Sequence, residues 1–151
     1  MNIFFVERDP LAAARSLCDK HVVKMTLETA QILSTVMGGP YKPTHAKHPS
    51  TLWAATQPQW VYLHFLGLLS EYKHRYGRTH KCATIIHQLP LLPPDQPWTD
   101  PPQCMPEQFK QLDTVEAYRA YYRGEKARFA RWTLRTPPEW FFTSTSYGVA
   151  A

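Results

Sequence analysis

Cysteine is scarce in this chain, and Cys18, Cys82 and Cys104 are odd in number and far apart, with no Cys-x-x-Cys pair. That spacing argues against a disulfide framework and against a thiolate zinc site, and a reducing cytosol fits it best. Long apolar runs are missing too. No stretch approaches the ~20 residues that a bilayer requires, and Met1-Asn-Ile-Phe-Phe-Val-Glu-Arg-Asp9 lacks a basic segment followed by a long apolar core. The protein is therefore expected to be neither exported nor embedded in a membrane. No internal repeat is present, and 151 residues suit a single domain, residues 1–151, around one core. Acidic residues are in the minority, 12 against 17 Lys and Arg, which leaves a net charge of +5 and a sequence pI near 9.2. An anionic partner follows as an expectation, nucleic acid first, although many small soluble proteins carry a charge of this size.

What is present is apolar and aromatic. With 44% hydrophobic and 13% aromatic residues, the chain reads as a folded globule. Its organising stretch is Leu17 to Thr35, Leu-Cys-Asp-Lys-His-Val-Val-Lys-Met-Thr-Leu-Glu-Thr-Ala-Gln-Ile-Leu-Ser-Thr. At 3.6 residues per turn, His21, Lys24, Glu28, Gln31 and Thr35 share one helix face. Leu17, Val22, Val23, Met25, Leu27, Ala30, Ile32, Leu33 and Val36 surround that stripe, and they are expected to wall it in. A carboxylate, an amine and an imidazole in a partly desolvated groove are where proton transfer near neutral pH becomes feasible, so Glu28, His21 and Lys24 are the candidate catalytic residues. The plainer alternative is an exposed face on which Lys24 and Glu28 form an (i, i+4) ion pair contributing about 0.2–0.5 kcal/mol.

Ile3 to Val6 is short and strand-like, and it leads into Asp9-Pro10, an N-cap and first-turn proline. A helix should run from there to Gly38-Gly39-Pro40, with a break near Arg15 or Ser16. Residues 41–53 read as a loop carrying Lys42, His45, Lys47 and His48, suited to an anion such as a phosphate. Metal binding by His45-x-x-His48 is the alternative, but no further ligand sits at a recognisable spacing, so no metal and no cofactor is expected. A second helix from about Gln57 to Tyr76 should stop at Gly77. It carries Trp60, His64, Gly67, Glu71 and His74 on one stripe, which either faces the first stripe as a substrate-binding wall or is core.

A shorter helix is expected from Arg78 to Leu89, then an irregular proline-rich lid or strap from Pro90 to Pro106. Asp113-Thr-Val-Glu116 should open a last long helix to about Trp132, in which Tyr118, Tyr121 and Tyr122 alternate with Arg119, Arg123, Lys126, Arg128 and Arg131. Arg119, Tyr122 and Arg123 are its candidate nucleic-acid contacts, against the alternative of a solvated basic helix whose tyrosines pack inward. Trp140 and Phe141 are expected to dock on the core. The fold class is thus all-α, a compact single-domain bundle of about four helices with a long Pro-rich loop.

The run Cys18-Asp-Lys-His-Val-Val-Lys-Met25 resembles small uncharacterised proteins of bacterial viruses. More remotely, Leu17, Asp19, His21 and Glu28 resemble the Leu-x-Asp-x-His and following catalytic glutamate of phage-type pyrimidine-dimer DNA glycosylases. The helix Trp60 to Glu71 and the segment Glu116-Ala-Tyr-Arg-Ala-Tyr-Tyr-Arg-Gly124 are similar to later parts of that family. The resemblance implies a helical enzyme in the cytoplasm of an infected bacterium that flips a nucleotide from double-stranded DNA and cuts its glycosidic bond. A nick by β-elimination can follow. It also implies attack by the α-amine of a small second residue exposed by removal of the initiator methionine, whereas Asn2 follows Met1 here and its size should hinder that removal. Three readings stay open: the Met1 amine attacks, Lys24 attacks, or the reaction differs. A non-catalytic nucleic-acid binder, and an enzyme binding a nucleotide or small anion in the same groove, are the other function classes.

Overall fold

Asp9 starts the first helix as its side chain accepts the Ala12 N–H at 2.8 Å, with Pro10 in the first turn. In the computed structural model, which describes residues 1–143, this helix, α1, spans Pro10–Ser16. The chain breaks at Leu17 and Cys18 and resumes as α2, Asp19–Met37, which ends on Gly38 in the left-handed conformation at φ 76°. The helices α3, Pro49–Thr56, and α4, Pro58–Tyr76, follow, and α4 closes on Gly77 at φ 70°. Beyond it lie a 3₁₀ segment at Lys81–Gln88, a short one at Glu107–Phe109, α5 at Thr114–Tyr121, a π-helical turn at Tyr122–Lys126, and α6 at Glu139–Phe142. The described residues are all-helical, with six α-helices rather than about four.

Helices α1 and α2 both pack on α4. At Gly67 an added Cβ would lie 3.0 Å from Ala14 Cβ, so a bare α-carbon there lets α4 approach α1. Ile3 to Val6 is not a strand. It is a buried length of chain running into the core, with Phe5 and Val6 fully enclosed, and each such side chain contributes roughly 1.5–3 kcal/mol by leaving water. Val22, Met25, Ile32, Leu33, Phe65, Leu68 and Ile85 complete that core.

Two expected boundaries are corrected. The stretch 41–53 is a loop only to His48, because His48 caps a new helix: its Nδ1 accepts the Ser50 N–H at 3.1 Å and Pro49 fills the first turn. The long last helix stops early. Gly124 lies against the Phe109 ring with no room for a side chain, and the helix widens into the π-turn there and ends. The proline-rich stretch is a strap, pinned where α3 meets α4 by Trp53 Nε1 donating to Thr99 O at 2.9 Å and Gln57 Nε2 to Pro97 O at 3.1 Å.

Candidate active site

Glu28 sits in the middle of α2, with its side chain 14% exposed. Its Oε1 lies 3.6 Å from the Met1 α-amine, and its Oε2 lies 3.7 Å from Lys24 Nζ one turn earlier on the helix. The two amines differ in setting, since the Met1 side chain is 3% exposed and that of Lys24 is 67% exposed. Met1 is carried there by the buried segment behind it. Phe4, at φ 56°, stacks on His21 with ring centroids 4.2 Å apart, so the N-terminal chain lies across the first turn of α2. Val23 and Leu27 stay 42% and 40% exposed on α2, so the apolar surround of the stripe is open on that side.

The loop 41–48 is tied to the same helix. Thr35, two turns beyond Glu28, accepts the Thr44 N–H at 3.1 Å and donates its hydroxyl to Thr44 O at 3.3 Å. His45 follows at φ 50°, its Nδ1 2.8 Å from the Thr44 hydroxyl. His48 is held below its usual pKa by burial, then by the Met1 amine and His45, with Glu28 pulling the other way. Met1, Lys24, Glu28, His45 and His48 therefore belong to one electrostatic neighbourhood, and Lys42 and Lys47 stand exposed on its loop side. Among the described residues no group of three or more His, Cys, Asp or Glu is placed to hold a metal ion.

The family model for pyrimidine dimer DNA glycosylase matches residues 1–84, more than half of the chain. The chain belongs to the pyrimidine dimer DNA glycosylase family. No curated protein and no solved structure matches it. The matched region of this glycosylase family member contains Met1, α2 with Lys24 and Glu28, the loop of His45 and His48, and α4. Membership makes DNA its partner and glycosylase-like chemistry its activity. Among the described residues no helix is long and apolar enough to cross a membrane.

The glycosylase's other candidate residues are placed differently. His21 lies beneath Phe4, its Nδ1 2.6 Å from the Tyr122 hydroxyl. Burial, then Lys126, Lys24 and Lys20, bring its pKa down to about 3, so it is a neutral support at physiological pH. Tyr122 is fully buried, and its hydroxyl accepts the Cys18 N–H at 3.2 Å, so it offers no ring to a base.

The α4 stripe does not form the facing wall. Trp60 Nε1 donates to Arg8 O at 2.8 Å and His64 Nδ1 to Pro10 O at 2.9 Å, and their stacked rings fill the space under α1. Burial lowers the His64 pKa to about 4. Glu71 is enclosed between Arg75 Nε and Arg135 Nε, each at 2.8 Å, and Arg75 reaches on to Asp19 at 2.9 Å. These residues carry internal polar bonds of the bundle. The same holds for Arg119, which donates to Val6 O at 3.0 Å and to Glu7 at 2.9 Å, and for Arg123, which donates to Trp140 O at 2.9 Å.

Another set of cations stands against aromatic rings. Lys20 Nζ sits 4.6 Å from the Phe129 ring centre, Lys126 Nζ 4.6 Å from that of Tyr121, and Arg128 5.9 Å from that of Phe129. Lys20, Lys24 and Lys126 all act on His21, so this face adjoins the Glu28 site. The alternation of bases and aromatics after Glu116 signalled it, but the π-turn changes the helical phase and so changes which members face outward.

Proposed function

We propose that this glycosylase removes a damaged or modified pyrimidine from duplex DNA with the Met1 α-amine as nucleophile and Glu28 as its carboxylate partner. The observation that carries the reading is the 3.6 Å approach of that amine to Glu28, inside the region the family model matches. The neutral amine attacks C1′, the C1′–N bond breaks with its electron pair going to the base, and the base takes up a proton. Glu28 stabilises positive charge developing at the sugar and accepts the amine's proton. Glu28 passes that proton to O4′ as the C1′–O4′ bond breaks and the ring opens, leaving a protonated Schiff base between Met1 and C1′. Removal of a C2′ proton then expels the 3′ phosphate and nicks the strand.

The phosphates of a duplex opened to extrude the nucleotide are held by Lys20, Lys24 and Lys126 on one side and by Lys42, His45 and Lys47 on the other. His48, neutral and anchored at the start of α3, borders the amine. Resemblance to bacterial-virus proteins supports the infected host's cytoplasm as the setting.

The test is borohydride trapping on duplexes carrying an abasic site, a pyrimidine dimer or a modified pyrimidine, with the adduct mapped by mass. An adduct on the Met1 amine is expected. An adduct on Lys24 overturns the nucleophile, and tight binding with neither adduct nor base release leaves a DNA-binding protein.

A further inference from the structure

The Met1 amine stands at the end of the chain, where a residue is poorly ordered unless something ties it down. The tie is Asn2. Its Oδ1 accepts the Ile3 N–H at 2.7 Å and the Phe4 N–H at 3.0 Å, closing a turn on its own backbone. Its Nδ2 donates to Cys104 O at 3.0 Å, across to the proline-rich strap. That anchor is itself fixed, because the buried Tyr118 hydroxyl accepts the Cys104 N–H at 3.1 Å and donates to Pro102 O at 2.6 Å. One side chain thus ties the N-terminus to the strap, which Tyr118 in turn ties to α5. It also helps hold Phe4 at φ 56°, a strained left-handed conformation that the turn and the stack on His21 offset.

We infer that Asn2 is the positioning residue of the nucleophile, its side-chain amide holding the Met1 amine against Glu28. The inference rests on the reading of Met1 as the attacking group. In this chain residue 2 acts through its side chain. A misplacement of the amine by 1 Å is expected to slow attack about 100-fold, which is the scale of effect that Asn2 controls.

The experiment compares wild type, Asn2→Leu and Asn2→Asp in single-turnover borohydride trapping on an abasic-site duplex. All three keep a large second residue, and intact mass checks that Met1 remains. Leu removes the acceptor and the donor, whereas Asp keeps the acceptor for Ile3 and Phe4. In wild type the adduct maps to Met1. Asn2→Leu is expected to trap about 100-fold more slowly per folded molecule, with an unchanged Kd for DNA and a thermal midpoint only modestly lowered by the lost hydrogen bonds, and Asn2→Asp to recover at least tenfold of that loss. Trapping by Asn2→Leu at the wild-type rate overturns the positioning role while leaving Met1 as nucleophile. So does a loss of DNA binding or of folding in proportion to the loss of rate. A wild-type adduct away from Met1 overturns the nucleophile, and this inference with it.

Discussion

Thr35 and Thr44 are joined by two hydrogen bonds, the Thr35 hydroxyl accepting from the Thr44 N–H at 3.1 Å and donating to its carbonyl at 3.3 Å. The pair fixes the His45 and His48 loop against α2, beside Glu28. Thr35→Val keeps the shape and removes both bonds, at about 0.5–1.5 kcal/mol each. Stability in urea should fall by about 1–3 kcal/mol, and base release should slow further than that loss of folded protein explains. Thr35→Ser should restore both, and a valine variant with full kcat/KM would show that the loop does not serve the site.

Glu28 and Glu71 separate chemistry from structure. Glu28→Gln should lower base release by about 10²–10⁴-fold with DNA binding and thermal midpoint little changed, since the carboxylate acts on charge developing in the transition state. Glu71→Ala leaves the fully buried Arg75 guanidinium short of a partner, with Asp19 and the Arg15 carbonyl left to it, and should cost about 3–5 kcal/mol of stability. Activity per folded molecule should survive in that variant. Denaturant titration alongside single-turnover base release distinguishes the two.

Acid should unfold the protein early. His21 and His64 are held neutral, at about 3 and about 4. Both lie below the unfolded value of about 6.5, so the unfolded chain binds the extra protons and stability is lost as pH falls from about 6.5 toward 4. Each histidine contributes about 1.4 kcal/mol per pH unit in that window. The Glu71 carboxylate adds to the trend. Burial works to raise its pKa, but hydrogen bonds from Arg135 and Arg75 outweigh that and leave it lowered, so its contribution goes at lower pH still. Thermal midpoints between pH 7.5 and pH 4.5 check this, and a flat profile would contradict the burial of both rings.

The cationic face predicts a salt dependence. Replacing Lys20 and Lys126 together by Ala should weaken binding to any duplex and lower the slope of log K against log salt by about 0.9 for each phosphate that is no longer neutralised. Arg119→Ala, by contrast, should leave that slope unchanged, because its guanidinium is engaged with Val6 O and Glu7. Fluorescence anisotropy across a salt series reads both.

Much of the site was legible along the chain because its chemistry is local. Lys24 and Glu28 lie four apart on α2, whose end is written in Gly38-Gly39-Pro40, and periodicity alone puts them side by side, while Asp9-Pro10 marks the start of α1 before it. Gly77 marked the end of α4 in the same way. Helix α3 was hidden, since His48-Pro49 looks like more of a proline-rich loop until the histidine is seen accepting the Ser50 N–H. The end of α5 was hidden too, because it is set by the Phe109 ring, a neighbour met only in space.

The sequence by itself determined the all-helical class, the stops of α2 and α4 and the pairing of Lys24 with Glu28, since each rests on contacts between residues within a turn or two of one another. Tertiary structure decided which polar stripe reaches solvent. Periodicity shows that Trp60, His64 and Glu71 share a face, but not that α1 and Arg135 cover it. It also decided where the N-terminus lies. The approach of the Met1 amine to Glu28 and the bond from Asn2 to Cys104, 102 positions away, depend on packing of the whole chain, which no local pattern encodes.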